Sequence, residues 1–268
     1  FPYLVFISLP AVLKNLGTTR FALSHKLFIA VTVPLLLYES FLYLNGDYYK
    51  YTNSDNLPKL EFKESGKNAL DFVLKNNLPQ PIFNNFDIGS YITYRGWPKY
   101  RVFVDGRPGE YPKDFFQSVY IPAQSDPQKF KELDQKIGFK TIIFSHTDQT
   151  PWGKTFLAAI VKDSDWKTVY LDDFMIILVK NSVLASRDQV LQTRDLSKLD
   201  PVDYQFDSYI SYLRLSLFLA QTGNLESAQK FAKAGLLLFP ESPLGNALFG
   251  VNIQNDTSLD LLRNKFFW

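Results

Sequence analysis

Apolar positions along this chain change their period twice. At the front they are continuous: residues 1–13 read "FPYLVFISLPAVL" and residues 27–44 read "LFIAVTVPLLLYESFLYL", with Glu39 as the only charge in the second run. At ~1.5 Å per residue that run is just long enough for a bilayer core, so a transmembrane helix kinked at Pro34 is expected, with a buried soluble helix as the alternative. The shorter first run is expected to be the end of a helix that begins upstream. From "ESGKNALDFVLKNN" onward the pattern is amphipathic, with Ala69, Leu70, Val73 and Leu74 at helical spacing. Short apolar runs then alternate with helical stretches: "PIFNN", "IGSYITYRG", "RVFVDG", "KDFFQSVY", "DPQKFKELDQKIG", "KTIIFSH" and "GKTFLAAIVKDS". The strands "KTVYL" and "FMIILVK" are separated by Asp172 and Asp173 alone and should pair as a hairpin.

This order predicts an α/β domain with a mostly parallel sheet, covered on both faces and finished at one edge by the hairpin. Near the end, Tyr212, Leu215, Leu219, Gly223, Ala228, Ala232 and Pro240 fall at tetratricopeptide-repeat offsets, with a generic helical hairpin as the alternative. The expected organisation is therefore transmembrane segments over residues 1–46, a linker over 47–60, an α/β domain over 61–180, a second linker over 181–204 and a tetratricopeptide-like helical segment over 205–268. Lys14, Arg20 and Lys26 flank the long apolar run on one side, and Tyr38, Tyr43, Tyr48 and Tyr49 gather toward the other. The positive-inside rule then puts everything after Gly46 outside the cytoplasm, with Glu39 near the outer interface.

Composition narrows the chemistry. A net charge of +2 without a basic block argues against nucleic acid, while the absence of Cys and the presence of only two His argue against zinc clusters and cysteine nucleophiles. No metal site and no cofactor are expected: the chain has no Walker loop, no G-x-G-x-x-G and no H-E-x-x-H.

In an open parallel sheet, ligands sit beyond the carboxyl ends of the strands. Those ends are predicted to present Asn84, Asn85 and Asp87, then Asp105 and Arg107, then Ser145, His146 and Asp148. An Asp with an Arg two residues later can grip an oxyanion or a sugar hydroxyl, yet Asp-Gly also makes turns and the Arg can simply pair with the acid. Here the turn is the preferred reading. His146 has an acid nearby but no nucleophile elbow, and a strand-end histidine in solvent is preferred for it. Tyr91, Tyr94, Trp97 and Tyr100 are aromatics that could stack on a sugar or pack in a core.

The stretch "NNFDIGSYITYRGWPKYRVFVDGRPGEYP" resembles the C-terminal region of multi-spanning bacterial membrane proteins of the GT-C glycosyltransferase type, relatives of the protein mannosyltransferases. In them an Asn-aromatic-x-Gly-Gly-Tyr-Leu segment precedes Asp-Gly-Arg-x-x-x-Tyr. The matching positions are Asn85, Phe86, Gly89, Tyr91, Asp105, Gly106, Arg107 and Tyr111, with Ser90 and Ile92 departing from the pattern. The resemblance implies the extracytoplasmic part of a bacterial inner-membrane glycosyltransferase using a polyprenyl-phosphate-linked sugar. Its catalytic loop would lie upstream, so no catalytic residue is carried over. The alternative is a noncatalytic membrane-anchored protein that binds partner proteins through the repeat. Candidate contacts for a lipid-linked sugar or glycan acceptor are Asn85, Asp87, Tyr91, Asp105, Arg107, Tyr111 and His146.

Overall fold

The computed structural model describes residues 14, 25–45, 65–148, 150–186 and 190–250. The apolar run 1–13, most of the connector to the next helix, the linker 47–60 and residues 251–268 lie outside the described residues. The chain divides into two units, Phe1–Thr52 with Asn56–Lys59 and Asn53–Asp55 with Leu60–Trp268.

In the first unit, helix α1 (His25–Asn45) carries Pro34 in its interior. Among the described residues no helix is long and apolar enough to cross a membrane. That corrects the transmembrane assignment of residues 27–44, and with it the membrane-anchored architecture and the extracytoplasmic placement of the rest. The uncharged part of the run stops at Glu39, after about 18 Å of helix, whereas a hydrocarbon core spans ~30 Å.

The second unit is a mixed α/β fold. Its sheet has four strands, β1 (Ile82–Asn84), β2 (Thr141–Ser145), β3 (Trp166–Leu171) and β4 (Met175–Lys180), in the order β1-β2-β4-β3. Only β1 and β2 are parallel; β4 runs antiparallel to both β2 and β3. The expectation of a mostly parallel sheet is thereby corrected. The tight β3–β4 turn reverses the chain before β4, and β4 inserts between β2 and β3, which makes both of its pairings antiparallel.

Both faces of the sheet are covered, and the period-two alternation of β4 shows how. Ile176 and Leu178 join Phe83, Ile142 and Phe144 in one apolar cluster, whereas Met175, Ile177 and Val179 join Ile82 and Ile143 in another. The second face is closed by α2 (Lys67–Lys75) through Ala69, Leu70 and Val73, and by α3 (Phe86–Gly96) through Ile88 and Ile92. The first face takes α5 (Pro127–Ile137) through Phe130, which follows the short α4 (Ile121–Ser125), and α6 (Pro151–Ile160) through Phe156, Leu157 and Ile160. Local signals place these helices. Asp126 accepts from Gln128 N ahead of Pro127, Gly138 ends α5 in the left-handed region (φ 73°), and Thr150 accepts from Gly153 N ahead of Pro151.

After the short α7 (Asn181–Ala185), the same first-face core continues without interruption into α8 (Tyr209–Gln221), α9 (Leu225–Leu238) and α10 (Pro243–Gly250), through Leu213, Phe218, Phe231 and Leu244. α8 and α9 cross closely: a Cβ on Gly235 would stand 2.7 Å from the Leu213 side chain, and Ser216 Oγ donates to Ala228 O at 2.7 Å.

The segment "RVFVDG" is expected to be a strand, and it is not one. Its alternation is real, since Val102 and Phe103 pack against opposite clusters and Val104 is buried. Its backbone, however, is held by a side chain rather than a ladder. Asn84 Oδ1 accepts from Phe103 N (2.9 Å) and Val104 N (3.4 Å), while Asn84 Nδ2 donates to Val104 O (2.7 Å). Replacing Asn84 with Ala would leave these buried backbone groups unsatisfied. We expect a loss of about 3 kcal/mol in denaturant-induced unfolding, with faster hydrogen exchange at the Phe103 amide; an unchanged exchange rate would show that the bridge does not hold the segment.

Candidate functional site

The carboxyl ends of the parallel strands β1 and β2 deliver adjacent polar residues, and the first of them bind one another. Asn85, fully buried, accepts from Ser145 N through Oδ1 (3.0 Å) and donates through Nδ2 to Asp148 Oδ2 (3.2 Å). The other Asp148 oxygen accepts from Thr150 N (2.8 Å) and Thr150 Oγ1 (2.7 Å). Asn85 thus ties the start of α3 to the loop that starts α6, and Asp148 is oriented by three donors. A Cβ on Gly153 would stand 2.8 Å from the Asp148 carboxyl carbon, so α6 begins directly against that acid.

Beside this junction lies a cleft of about 290 Å³, whose lining includes Phe86, Asp87, Pro108, Phe116, Tyr120, Asp148 and Trp152. Phe116 and Tyr120 come from a π-helical turn, Phe116–Tyr120, that leads into α4. Phe86 meets Phe116 edge-on at 5.7 Å, and Phe116 meets Tyr120 edge-on at 5.7 Å, so the aromatic wall is itself packed. Tyr120 also accepts a hydrogen bond from Phe86 N (2.7 Å), one of the amides that the first turn of α3 leaves without a helical acceptor. Burial pushes its phenol pKa well above the ordinary value.

Asp87 stands in the first turn of α3 at this cleft. Its carboxyl is pushed above the ordinary carboxylate range, first by desolvation and then by the negative charge of Asp148. Among the described residues, no cation offsets these two effects.

The "DGRPGEY" loop is a knot of its own. Asp105, 2% exposed, is gripped by Arg107 through Nη2 to Oδ2 (2.6 Å) and through Nε to both oxygens (3.2 Å each), and it also accepts from Arg107 N (3.1 Å). Tyr111 folds back so that its hydroxyl accepts from Asp105 N (2.8 Å) and donates to Asp105 Oδ1 (3.3 Å), while its ring stacks on Phe115 at 4.9 Å. The Arg107 guanidinium holds the Asp105 carboxyl below the ordinary range. The loop sits hard against α3. A Cβ on Gly89 would meet Val104 O at 1.9 Å, and Ser90 Oγ accepts from Gly106 N at 3.1 Å. Only Gly fits at position 89 without moving backbone.

Of the residues singled out from sequence, the structure therefore brings Asp87 and Asp148 together at one cleft, with the buried Asn85 holding Asp148 and the Asp105–Arg107–Tyr111 knot reaching the cleft through Pro108. His146 goes elsewhere. Its Nε2 donates to Asp172 O (2.8 Å) and its ring packs at 4.7 Å on Phe218 of α8, on the face that the terminal helices cover. Tyr91 turns toward α2, where Arg95 donates to its hydroxyl (3.1 Å) and Arg95 also pairs with Asp71 (2.5 Å). Tyr94 and Trp97 are largely exposed, at 78% and 66%, near the far end of α3, and Tyr100 is core. Sequence reasoning missed Tyr120, Phe116 and Trp152. The Thr150-Pro151 helix start was a usable signal for Trp152, because it places that residue in the first turn of α6, next to the strand end.

These contacts make Asp105 the centre of the loop and Arg107 its clamp. Asp105→Ala should lower the melting temperature more than Arg107→Ala, since the acid is buried and the guanidinium is in solvent. Because the folded carboxyl sits below its ordinary value near 3.8, its contribution is complete above that pH and is lost as pH falls through the depressed folded value. The stability gap between the native chain and Asp105→Asn, measured by urea titration across the acid range, should close on that descent. A gap that persists unchanged in strong acid would reject the ion pair as its source.

No family model matches this chain, and no curated protein or solved structure matches it. The resemblance to GT-C glycosyltransferases is therefore corrected. The positions that carried it have local explanations: Gly89 admits the Val104 carbonyl, and Asp105, Gly106, Arg107 and Tyr111 close a turn. The membrane glycosyltransferase activity, the lipid-linked sugar and glycan acceptor, and the bacterial inner-membrane localisation lose their support with it. The tetratricopeptide assignment also fails for want of a matching family, since a close helix crossing at Gly235 accounts for the small residues of α8 and α9. With neither a spanning helix among the described residues nor a repeat family, the membrane-anchored interaction protein, with its repeat-mediated protein partner, falls as well.

Proposed function

We propose that this chain is a ligand-binding module whose cleft at the ends of β1 and β2 takes a small organic cation. The observation that carries the reading is the placing of two carboxyls, Asp87 and Asp148, in one aromatic-walled cleft; desolvation and the charge of Asp148 also raise the Asp87 carboxyl above its ordinary range. Its surroundings are Phe86, Phe116, Tyr120 and Trp152. Aromatic rings attract a cation through their quadrupoles, by ~0.5–2 kcal/mol per contact, and they do so without the strong hydration that a bare metal ion would have to give up. The described residues hold no group of His, Cys, Asp and Glu suited to a metal ion. An alkylammonium group satisfies both features of the cleft, with its charge on Asp87 and its methyl or methylene surface on the rings. A volume of about 290 Å³ suits a head group of that size. Asp148, already held by Asn85 and Thr150, supplies field rather than a mobile contact.

Titrating the whole chain with choline and with its uncharged isostere 3,3-dimethylbutan-1-ol tests this directly. Choline should bind at least about tenfold more tightly than the alcohol, and Asp87→Asn should remove most of that preference, a difference of ~1.4 kcal/mol. The pH dependence has a definite sign. Protonated Asp87 cannot pair with a cation, so affinity should rise with pH through the raised carboxyl value and level off above it. Equal affinity for the two probes, or a choline affinity indifferent to Asp87→Asn, would reject the cation reading.

A further inference from the structure

A larger cavity, of about 680 Å³, lies between the first residues of β3, the segment leaving α6, and the turn that joins α8 to α9. β2 and β3 both run antiparallel to β4, so they point the same way. The start of β3 is therefore at the opposite end of the sheet from the Asp87 cleft, and the two spaces are separate. The volume falls within the ~300–1,000 Å³ range of small-molecule sites.

The charged groups facing this space are unequal in what they are free to do. Two acids line it, and both are committed to local turns. Asp163 accepts from Asp165 N (2.8 Å), while Asp195 accepts from Ser197 N (3.1 Å) and Ser197 Oγ (2.7 Å) and pairs with Lys198 (3.4 Å). The cations Lys162, Lys167 and Arg194 line the same space. Among the described residues, Lys162 and Lys167 have no carboxylate in ion-pair range.

Arg194 is built in rather than loose. Its backbone N donates to Thr168 O on β3 (2.8 Å), and its guanidinium lies 5.7 Å from the centre of the Tyr204 ring. A guanidinium held beside a ring has less rotamer freedom to lose when its fork meets an oxyanion. Ser164 and Thr193 add hydroxyls to the lining.

We propose that this cavity binds a phosphate-bearing small molecule, with Arg194 as the fork and Lys162 and Lys167 as point charges. Several positive groups around one space favour a multiply charged anion over a single carboxylate, and the cavity has room beyond the phosphate for the group that carries it.

Inorganic pyrophosphate is the probe, titrated calorimetrically into the whole chain at low salt. It should bind, and affinity should fall at least about tenfold in the Lys162→Gln/Lys167→Gln double variant, whose exposed side chains can change without disturbing the core. Arg194→Lys should also weaken binding, because it keeps the charge but loses the fork. Raising the ionic strength should weaken the native interaction as well. Asp87→Asn should leave pyrophosphate binding unchanged, so this site and the cation cleft can fail independently. Absence of binding, an unaltered affinity in the double variant, or equal binding of chloride at the same ionic strength would overturn the proposal.

Discussion

A buried amide side chain does the work of a missing strand. At the end of β1 the sheet stops after Asn84, yet the chain must still bring residues 103–105 alongside β1 to close both apolar clusters. Backbone groups cannot be left dry, because an unmade buried hydrogen bond costs roughly 1–3 kcal/mol. Asn84 supplies an acceptor to Phe103 N and a donor to Val104 O, so one residue satisfies what a ladder would otherwise satisfy. The placement of Val104 in turn brings its carbonyl against Gly89, which sets the depth of α3, and α3 carries Asp87 to the cleft. The knot around Asp105 follows from the same anchoring.

Much of this fold is legible in the residues, because the patterns that specify it are local. The α2 helix, the caps of α5 and α6 and the Asp172-Asp173 turn between β3 and β4 all declare themselves through spacing or capping chemistry. What is not legible is pairing. "RVFVDG" alternates as a strand does, but alternation reports burial on two faces and says nothing about which group accepts each N–H. The direction of the sheet is hidden for a related reason. Nothing local in "FMIILVK" indicates that it inserts next to β2 instead of extending the sheet beyond β3.

The site was partly readable in the same sense. Strand ends do present polar residues: Asn85 hydrogen-bonds Asp148, and Asp87 and Asp148 line one cleft. His146 differs from them through its ring, which stacks on Phe218, a residue more than seventy positions away. Only a knowledge of where α8 packs could reveal that. The aromatic wall was invisible for the complementary reason. Tyr120 and Phe116 reach the cleft by way of a π-helical turn, and five residues are too few to display a sequence period. The apolar run at the front has the composition of a spanning helix without the uncharged length of one. A charge at Glu39 cuts the uncharged length well below a bilayer's.

Tyr120 has a double attachment: its ring forms wall, and its oxygen holds the first amide of α3. Sliding the π-helical turn outward by even an ångström or two would stretch that hydrogen bond past useful length and free the helix end that bears Asp87. The width of the cleft and the seating of its acid are therefore coupled through one hydrogen bond, so a change in the wall is felt at the helix end that bears Asp87.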